Sequence, residues 1–323
     1  MKKNILYVIA LLISAVGLLA SCGGKKNEVP VSGGDSLKGE VSLSGAFALY
    51  PLVVRWADEF KKLHPNVTID ISAGGAGKGI TDALTGQVDL GMVSRELKQA
   101  EVEQGALGFA VAMDAVVATV NMQNPVLLQL KKRGLSQTMA RRLWLTDKVH
   151  TWGQVVASRC QYPVHVYTRS DACGAAETWA LYLGTEQENL QGTGVYGDPA
   201  IAQQIQKDAL GIGMNNIGYA FDLKTGKTNP GIAVVPIDRN GNGRVDADEN
   251  FYASLQQLIE AIAQGKYPTP PARNLYLVSN GRPKSKAVRA FLKYILTEGQ
   301  KYNVRSGFIQ LNDTVLKKEL QKM

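Results

Sequence analysis

Histidine, cysteine and aromatic residues are scarce: three His, three Cys, and only 7% Phe, Trp and Tyr in 323 residues. So few cysteines cannot build a disulfide scaffold. The three histidines, His64, His150 and His165, make no recognisable nucleophile–base spacing, and no catalytic residue is assigned. Acidic charge is short as well, with 28 Asp and Glu against 36 Lys and Arg and a net charge of +8. A second long apolar run is missing, which excludes a multi-span membrane protein. The remainder is the composition of a soluble globular protein, 45% hydrophobic and 20% charged. The length suits about two domains, each with its own core.

The N-terminus reads as an address. Met1-Lys2-Lys3 precedes an apolar run from Ile5 to Ala20, broken only by Ser14 and Gly17. That pattern is a secretory signal rather than a span. Leu19-Ala20-Ser21-Cys22 resembles the lipobox of bacterial lipoproteins, which predicts a signal peptide over residues 1–21 and lipidation of Cys22. Cutting there removes Lys2 and Lys3 and lowers the net charge from +8 to +6. Residues 22–39, which carry Gly, Ser and Lys, read as a flexible tether. The expected location is outside the cytoplasm, periplasmic and membrane-anchored.

From Glu40 onward, strand-like and helix-like runs alternate. Strands are expected at 41–44, 67–71 and 88–93, and helices at 51–63 and 79–85. Leu52, Trp56, Phe60 and Leu63 share one face of the first helix, and Pro51 suits its first turn. This β-α-β-α-β series predicts an α/β fold with a mostly parallel, helix-covered sheet and ligands at the carboxyl ends of strands. The apolar stretch 109–121, interrupted by Asp114, reads as a crossing to a second domain. That domain would hold a basic helix at 125–133, a strand at 163–168, a helix after Gly174, an apolar run at 217–221, a strand at 232–237 and a helix at 252–263. After Pro268-Thr269-Pro270-Pro271, a strand at 274–279 and a helix at 284–296 return to the first sheet. The predicted organisation is one lobe from 40–118 plus 272–323 and another from 119–271, with a ligand cleft between them.

Three segments place small residues between a strand and a helix: 44–51, 73–79 and 169–176. Each would offer backbone N–H groups at a helix N-terminus, where the helix dipole favours an anion. Nucleotide motifs do not fit. A phosphate loop needs Ser or Thr after its Lys and Gly five residues before it, whereas Lys78 is followed by Gly79 and preceded at that distance by Ala73. Ile80 stands where the third Gly of a dinucleotide fingerprint would be.

The segments 44–52, 89–98 and 167–175 and the Gly-rich turn through Gly79-Ile80 follow in the order found in PstS-like phosphate-binding proteins. So do Ile217-Gly218-Tyr219, Arg273-Asn274-Leu275-Tyr276, Glu298-Gly299-Gln300 and Gly307-Phe308. The chain resembles that family over residues 40–312. The resemblance implies a two-lobed periplasmic-binding-protein fold of type II, each lobe a mixed, mostly parallel sheet flanked by helices and joined to the other by two crossover segments. It also implies closure on inorganic phosphate or a related tetrahedral oxyanion, and delivery to an ABC-transporter permease by a monomer. Its ligand residues would be Ser44, Ala46, Ala76, Gly77, Ser94, Arg95, Arg169, Ser170, Cys173, Gly174 and Ala175. The family usually has hydroxyls where this chain has Ala46, Ala76, Cys173 and Ala175, and some relatives carry a carboxylate where Arg95 stands. A neutral hydrogen bond contributes about 0.5–1.5 kcal/mol, so weaker binding is expected unless backbone N–H groups compensate.

Residues 238–249 match the calcium-loop pattern D-x-[DN]-x-[DN]-G-x5-E at every constrained position. Asp238, Asn240, Asn242, the Arg244 carbonyl, Asp246 and Glu249 are the expected ligands of a structural Ca²⁺. Cys160 and Cys173 are expected as free thiols, since the strand between them spans about 20 Å and bridged Cα atoms lie within about 7 Å. The basic groups at 131–133 and 141–142 read as a solvated helix face, and export argues against a nucleic-acid partner. Two other classes stand beside the transport reading. One is an enzyme using Cys173 at a helix N-terminus. The other is a calcium-stabilised surface interaction module that has lost its ligand.

Overall fold

The computed structural model describes residues 37–323, so the signal peptide, Cys22 and nearly all of the tether lie outside the described residues. The first elements are β1 (Gly39–Gly45), α1 (Tyr50–Leu63), β2 (Val67–Ala73), α2 (Ala76–Leu84), β3 (Leu90–Val93), α3 (Gln99–Glu103) and β4 (Ala106–Asn121). Next come α4 (Leu127–Arg133), β5 (Leu135–Ser136), α5 (Gln137–Leu145), α6 (Trp152–Val156), β6 (His165–Arg169) and α7 (Gly174–Tyr182). They are followed by β7 (Thr193–Val195), α8 (Asp198–Lys207), β8 (Gly211–Asn216), α9 (Ile217–Ala220), β9 (Ile232–Val234), β10 (Ile237–Asp238) and α10 (Leu255–Ala263). The chain ends with β11 (Ala272–Asn280), α11 (Lys286–Leu296) and α12 (Asp313–Gln321).

Among the described residues, nine strands form one sheet in the order β2-β1-β3-β11-β4-β8-β6-β7, with β9 beside β4. Pairing is parallel on both flanks, at β1–β2, β1–β3, β6–β8 and β6–β7. The centre is antiparallel, because β11 runs against both β3 and β4, and β4 against β8 and β9. The sheet is therefore mixed, with the long crossing strand β4 and the returning strand β11 supplying the antiparallel centre. The βαβ pattern that predicts parallel pairing holds only outside them.

Two large buried clusters sit along this sheet. Trp56, Phe60, Met92, Phe109, Leu277, Phe291 and Leu292 belong to one; Trp144, Trp152, Trp179, Val117, Met214, Phe221 and Leu258 belong to the other. All four tryptophans are fully buried. Three of the indole N–H groups find carbonyls: Trp56 donates to Gly299 at 2.9 Å, Trp144 to Tyr167 at 3.1 Å and Trp152 to Leu210 at 3.1 Å. Truncating such a side chain to Ala costs about 3–5 kcal/mol.

Several boundaries differ from expectation for local reasons. α1 buries Leu52, Trp56 and Phe60 as expected, but Leu63 is 51% exposed, because it closes the helix where the chain turns at His64-Pro65. α2 starts at Ala76 rather than Gly79, since Gly75 with φ of 90° turns the chain straight into it. α10 starts at Leu255, where the Ser254 hydroxyl caps the Gln257 N–H, and α11 starts after Ser285, which caps Val288. The strand expected at 232–237 is two strands separated by Val235-Pro236; β9 pairs with β4 and β10 with β5. Pro236 has no N–H for a ladder, and its carbonyl accepts from Leu135 instead, at 2.7 Å.

Candidate functional site

The three small-residue turns come together. β1 delivers the first turn, and Gly45 O accepts the N–H groups of Gly74 and Gly75 at 2.8 and 3.0 Å, binding the second turn to the first. Gly77 N–H, in the first turn of α2, donates to Ala172 O of the third turn at 3.3 Å. The Tyr219 hydroxyl donates to Phe47 O at 3.1 Å and ties α9 to the first turn. Gly174, which opens α7, packs on the backbone that follows β3. A Cβ at this position would lie 2.2 Å from Ser94 O and 2.3 Å from Ser94 Oγ, so only glycine fits.

Polar groups behave differently from one another in this arrangement. Ser94 is 3% exposed, and its hydroxyl makes no hydrogen bond among the described residues. The N–H groups of Phe47, Ala48, Gly174 and Ala175 are likewise without a backbone partner. Ala46 N–H is already used by Met92 O at 2.8 Å. Cys173 Sγ accepts from Ala176 N–H at 3.4 Å, so the thiol caps α7. Ser170 is exposed, and its N–H donates to Val195 O on β7 at 3.1 Å.

Of the expected charged and hydroxyl donors, Ser44, Arg95 and Arg169 each have a carboxylate partner, whereas Ser94 and Ser170 have none. Ser44 Oγ donates to Asp82 at 2.6 Å, and Lys78 also contacts Asp82. Burial would raise the Asp82 pKa, but hydrogen bonds from Lys78 and Ser44 outweigh it and hold the carboxyl below its usual value. Arg95 forks onto Glu101 at 2.9 and 2.6 Å and reaches Glu96 O at 2.9 Å. It lines a cavity of about 140 Å³ with Thr178, Leu181 and Arg273, beside the meeting turns.

Arg169, at the end of β6, has no solvent-exposed side-chain surface. It donates to Asp171 at 2.9 and 2.7 Å, and its Nη1 lies 2.9 Å from Asp198 Oδ2 at an angle that makes no hydrogen bond. Burial alone would weaken the guanidinium charge, yet Asp198 and Asp171 raise its pKa above the usual value. Gln187 braces the third turn by accepting from Cys173 N–H at 3.1 Å and donating to Asp171 O at 2.7 Å. A buried polar chain continues inward: Asp198 contacts Asn216, Asn216 contacts Arg273, and Arg273 forks onto Asp114 at 2.7 and 3.1 Å. Arg273 is on β11 and Asp114 on β4, so this chain links the third turn to both central antiparallel strands.

Burial pushes the Cys173 thiol up to about 12, against the opposing pull of Arg169. A helix N-terminus alone does not make it a thiolate, and no histidine is among the groups around it. Sequence reasoning missed Asp82, Glu101, Asp198, Gln187 and Asn216. Two left signals: Asp198-Pro199 is a helix-start pattern, and Asp82 stands four residues after Lys78.

The model of the PBP superfamily domain matches residues 30–298. A phosphate-binding protein PstS of Pseudomonas aeruginosa is 25% identical over 99% of this chain and 98% of that protein. One of Bacillus subtilis is 27% identical over 97% and 96%. Among solved structures, a putative phosphate ABC transporter substrate-binding protein with bound phosphate from Clostridium perfringens superposes with a TM-score of 0.69 at 21% identity. It covers 85% of this chain and 100% of its own. The chain belongs to the PBP superfamily, and along nearly its whole length it is similar to PstS phosphate-binding proteins.

Proposed function

We propose that this protein is the solute-binding component of an ABC importer and captures inorganic phosphate, or a related tetrahedral oxyanion, where its three turns meet. The observation that carries this reading is the convergence itself. Gly77 touches Ala172, Gly174 packs on Ser94, and the N–H groups of Gly174 and Ala175 at the start of α7 have no backbone partner. An anion on those groups gains backbone hydrogen bonds and the helix dipole together. Ser94 Oγ, which makes no hydrogen bond among the described residues, is a hydroxyl at hand, and Arg169 supplies a fixed cation behind the turn. Backbone N–H groups thus replace the hydroxyls absent at Ala46, Ala76, Cys173 and Ala175.

Capture is by closure of two lobes, 40–118 plus 272–323 and 119–271, which removes the anion from water and shapes the surface a permease meets. Export and a lipid anchor at Cys22 keep the protein beside that permease. A Cys22→Ser variant should then leave the membrane fraction while keeping its affinity. Phosphate, sulfate, arsenate and tungstate titrated calorimetrically into the purified protein test the ligand. At 100-fold over Kd, a bound oxyanion adds about 2.7 kcal/mol of stability.

A second reading has support in one observation. Ser44, Arg95 and Arg169 are all engaged by internal carboxylates, namely Asp82, Glu101, and Asp171 with Asp198. A chain that kept the fold and lost its ligand would serve as a surface interaction module, and it would give no heat with any of the four anions.

A further inference from the structure

Residues 238–249 take no part in the turns above. The segment leaves β10, crosses solvent and returns to bury Glu249 before α10. We propose that it is a binding site for one hard divalent cation, of the size and chemistry of Ca²⁺, held by Asp238, Asn240, Asn242, the Arg244 carbonyl, Asp246 and Glu249.

Two independent lines support this. The first is the residue pattern, in which oxygen-bearing side chains occupy positions 1, 3, 5, 9 and 12 and Gly the sixth. That glycine, Gly243, has φ of 80°, where a side chain would be strained. The second is a buried carboxylate with no cationic partner among the described residues. The segment holds four acids and two arginines. Arg239 pairs with Asp248 at 2.5 Å and lies 3.6 Å from Glu249, while Arg244 pairs with Asp246 at 2.7 Å. Asp238 is 3% exposed, and among the described residues no Lys, Arg or His forms an ion pair with it. Its oxygens accept the N–H groups of Gly241, Asn242 and Gly243 at 2.8, 3.2 and 2.8 Å, which wrap the loop around the carboxylate and leave a cation as the counter-charge it lacks.

The side chains are arranged to receive it. Asn240 Nδ2 and Asn242 Nδ2 both reach Asp246 Oδ2, at 2.9 and 2.8 Å, so positions 3, 5 and 9 already face a common point. A cation there would turn those amides to present oxygen. Glu249 spans the loop, one oxygen accepting from Arg239 N–H at 2.8 Å and the other from Asp246 N–H at 3.1 Å. Val245 N–H donates to Lys132 O at 2.8 Å and fastens the loop to the end of α4. A bound ion would therefore join α4, β10 and the approach to α10. Neutral Asn at positions 3 and 5 keeps the ligand charge low, which places the site among weak extracellular ones, with Kd of about 10⁻⁴–10⁻³ M. Flexible oxygen ligands favour Ca²⁺ over Mg²⁺, which demands tight octahedral geometry.

The test uses the whole protein stripped with EDTA and titrated with CaCl₂ in a calorimeter, with melting followed in EDTA, CaCl₂ and MgCl₂. One Ca²⁺ per chain is expected, with a melting temperature that climbs with calcium and less with magnesium. Glu249→Gln should weaken binding at least about tenfold. Asn242→Ala, at an exposed side chain, should weaken it in a protein that still folds, and it decides the matter if Glu249→Gln does not fold. Absence of saturable heat, equal melting in EDTA and CaCl₂, equal effects of the two metals, or calcium binding unchanged in Asn242→Ala would each overturn the proposal.

Discussion

Arg169 and Asp198 face each other at 2.9 Å from the end of β6 and the first turn of α8, with 0% and 4% of their side chains exposed. Asp171 holds the same guanidinium from the other side, so the group of three carries one net negative charge out of water. Replacing Arg169 by Met leaves two carboxylates buried together, and unfolding in urea should show a loss of about 3–5 kcal/mol. Asp198→Asn leaves Arg169 paired with Asp171 and should cost less. By removing negative charge beside the turns it should also tighten oxyanion binding. Equal losses in the two variants would contradict this ranking.

Gly174 is where the third turn rests on Ser94. A methyl group there collides with the Ser94 backbone as well as with its hydroxyl, and the backbone cannot swing aside as a side-chain end can, so Gly174→Ala must push α7 away from the chain following β3. Calorimetry should show oxyanion affinity reduced at least about tenfold, the equivalent of one lost hydrogen bond of ordinary strength. Unchanged affinity would place the anion elsewhere.

Restoring hydroxyls should work in the opposite direction. Cys173→Ser and Ala175→Thr introduce the groups usual in the PstS-like family at the start of α7. Each should tighten phosphate binding by about 0.5–1.5 kcal/mol if the anion sits on that helix end. The affinity ratio from paired titrations is the readout, and weaker binding in both variants would count against the site.

Cys173, buried and with its thiol pushed up to about 12, should stay protonated at neutral pH. Labelling with a thiol-directed reagent, followed by peptide mass analysis, should modify half-buried Cys160 first and Cys173 only on unfolding. Fast modification of Cys173 in the folded protein would revive the enzymatic reading.

Glu101 carries the pH prediction. Burial would raise its pKa, but the hydrogen bonds from Arg95 and the Lys98 N–H outweigh it and hold the carboxyl below its ordinary 4.5. A carboxyl with a lower pKa in the folded state adds stability that is fully present above the unfolded value and fades as pH falls through the folded one. Glu101→Gln should therefore be less stable than the wild type near neutral pH. The gap should narrow as pH drops below about 4.5, and a gap that widens in acid would refute the pairing.

Local patterns in the sequence carried much of the fold. The apolar spacing of Leu52, Trp56 and Phe60 marked α1, and the long run broken by Asp114 marked β4. β8 was not legible: Gly-Ile-Gly-Met-Asn-Asn has no alternation, because it is buried on both faces in the middle of the sheet. At the site, the turns were visible as clusters of small residues, whereas the acids that occupy its donors were not. Asp82 lies 38 residues from Ser44. Asp198 reaches Arg169 from another element. Such pairings depend on how strands are ordered in the sheet, which no periodicity encodes.

The most direct test of the central claim is a calorimetric titration of phosphate into the purified protein. Saturable 1:1 heat that Gly174→Ala abolishes or sharply weakens is the predicted result. No heat with phosphate, sulfate, arsenate or tungstate would contradict the transport reading and leave the ligand-free interaction module in its place.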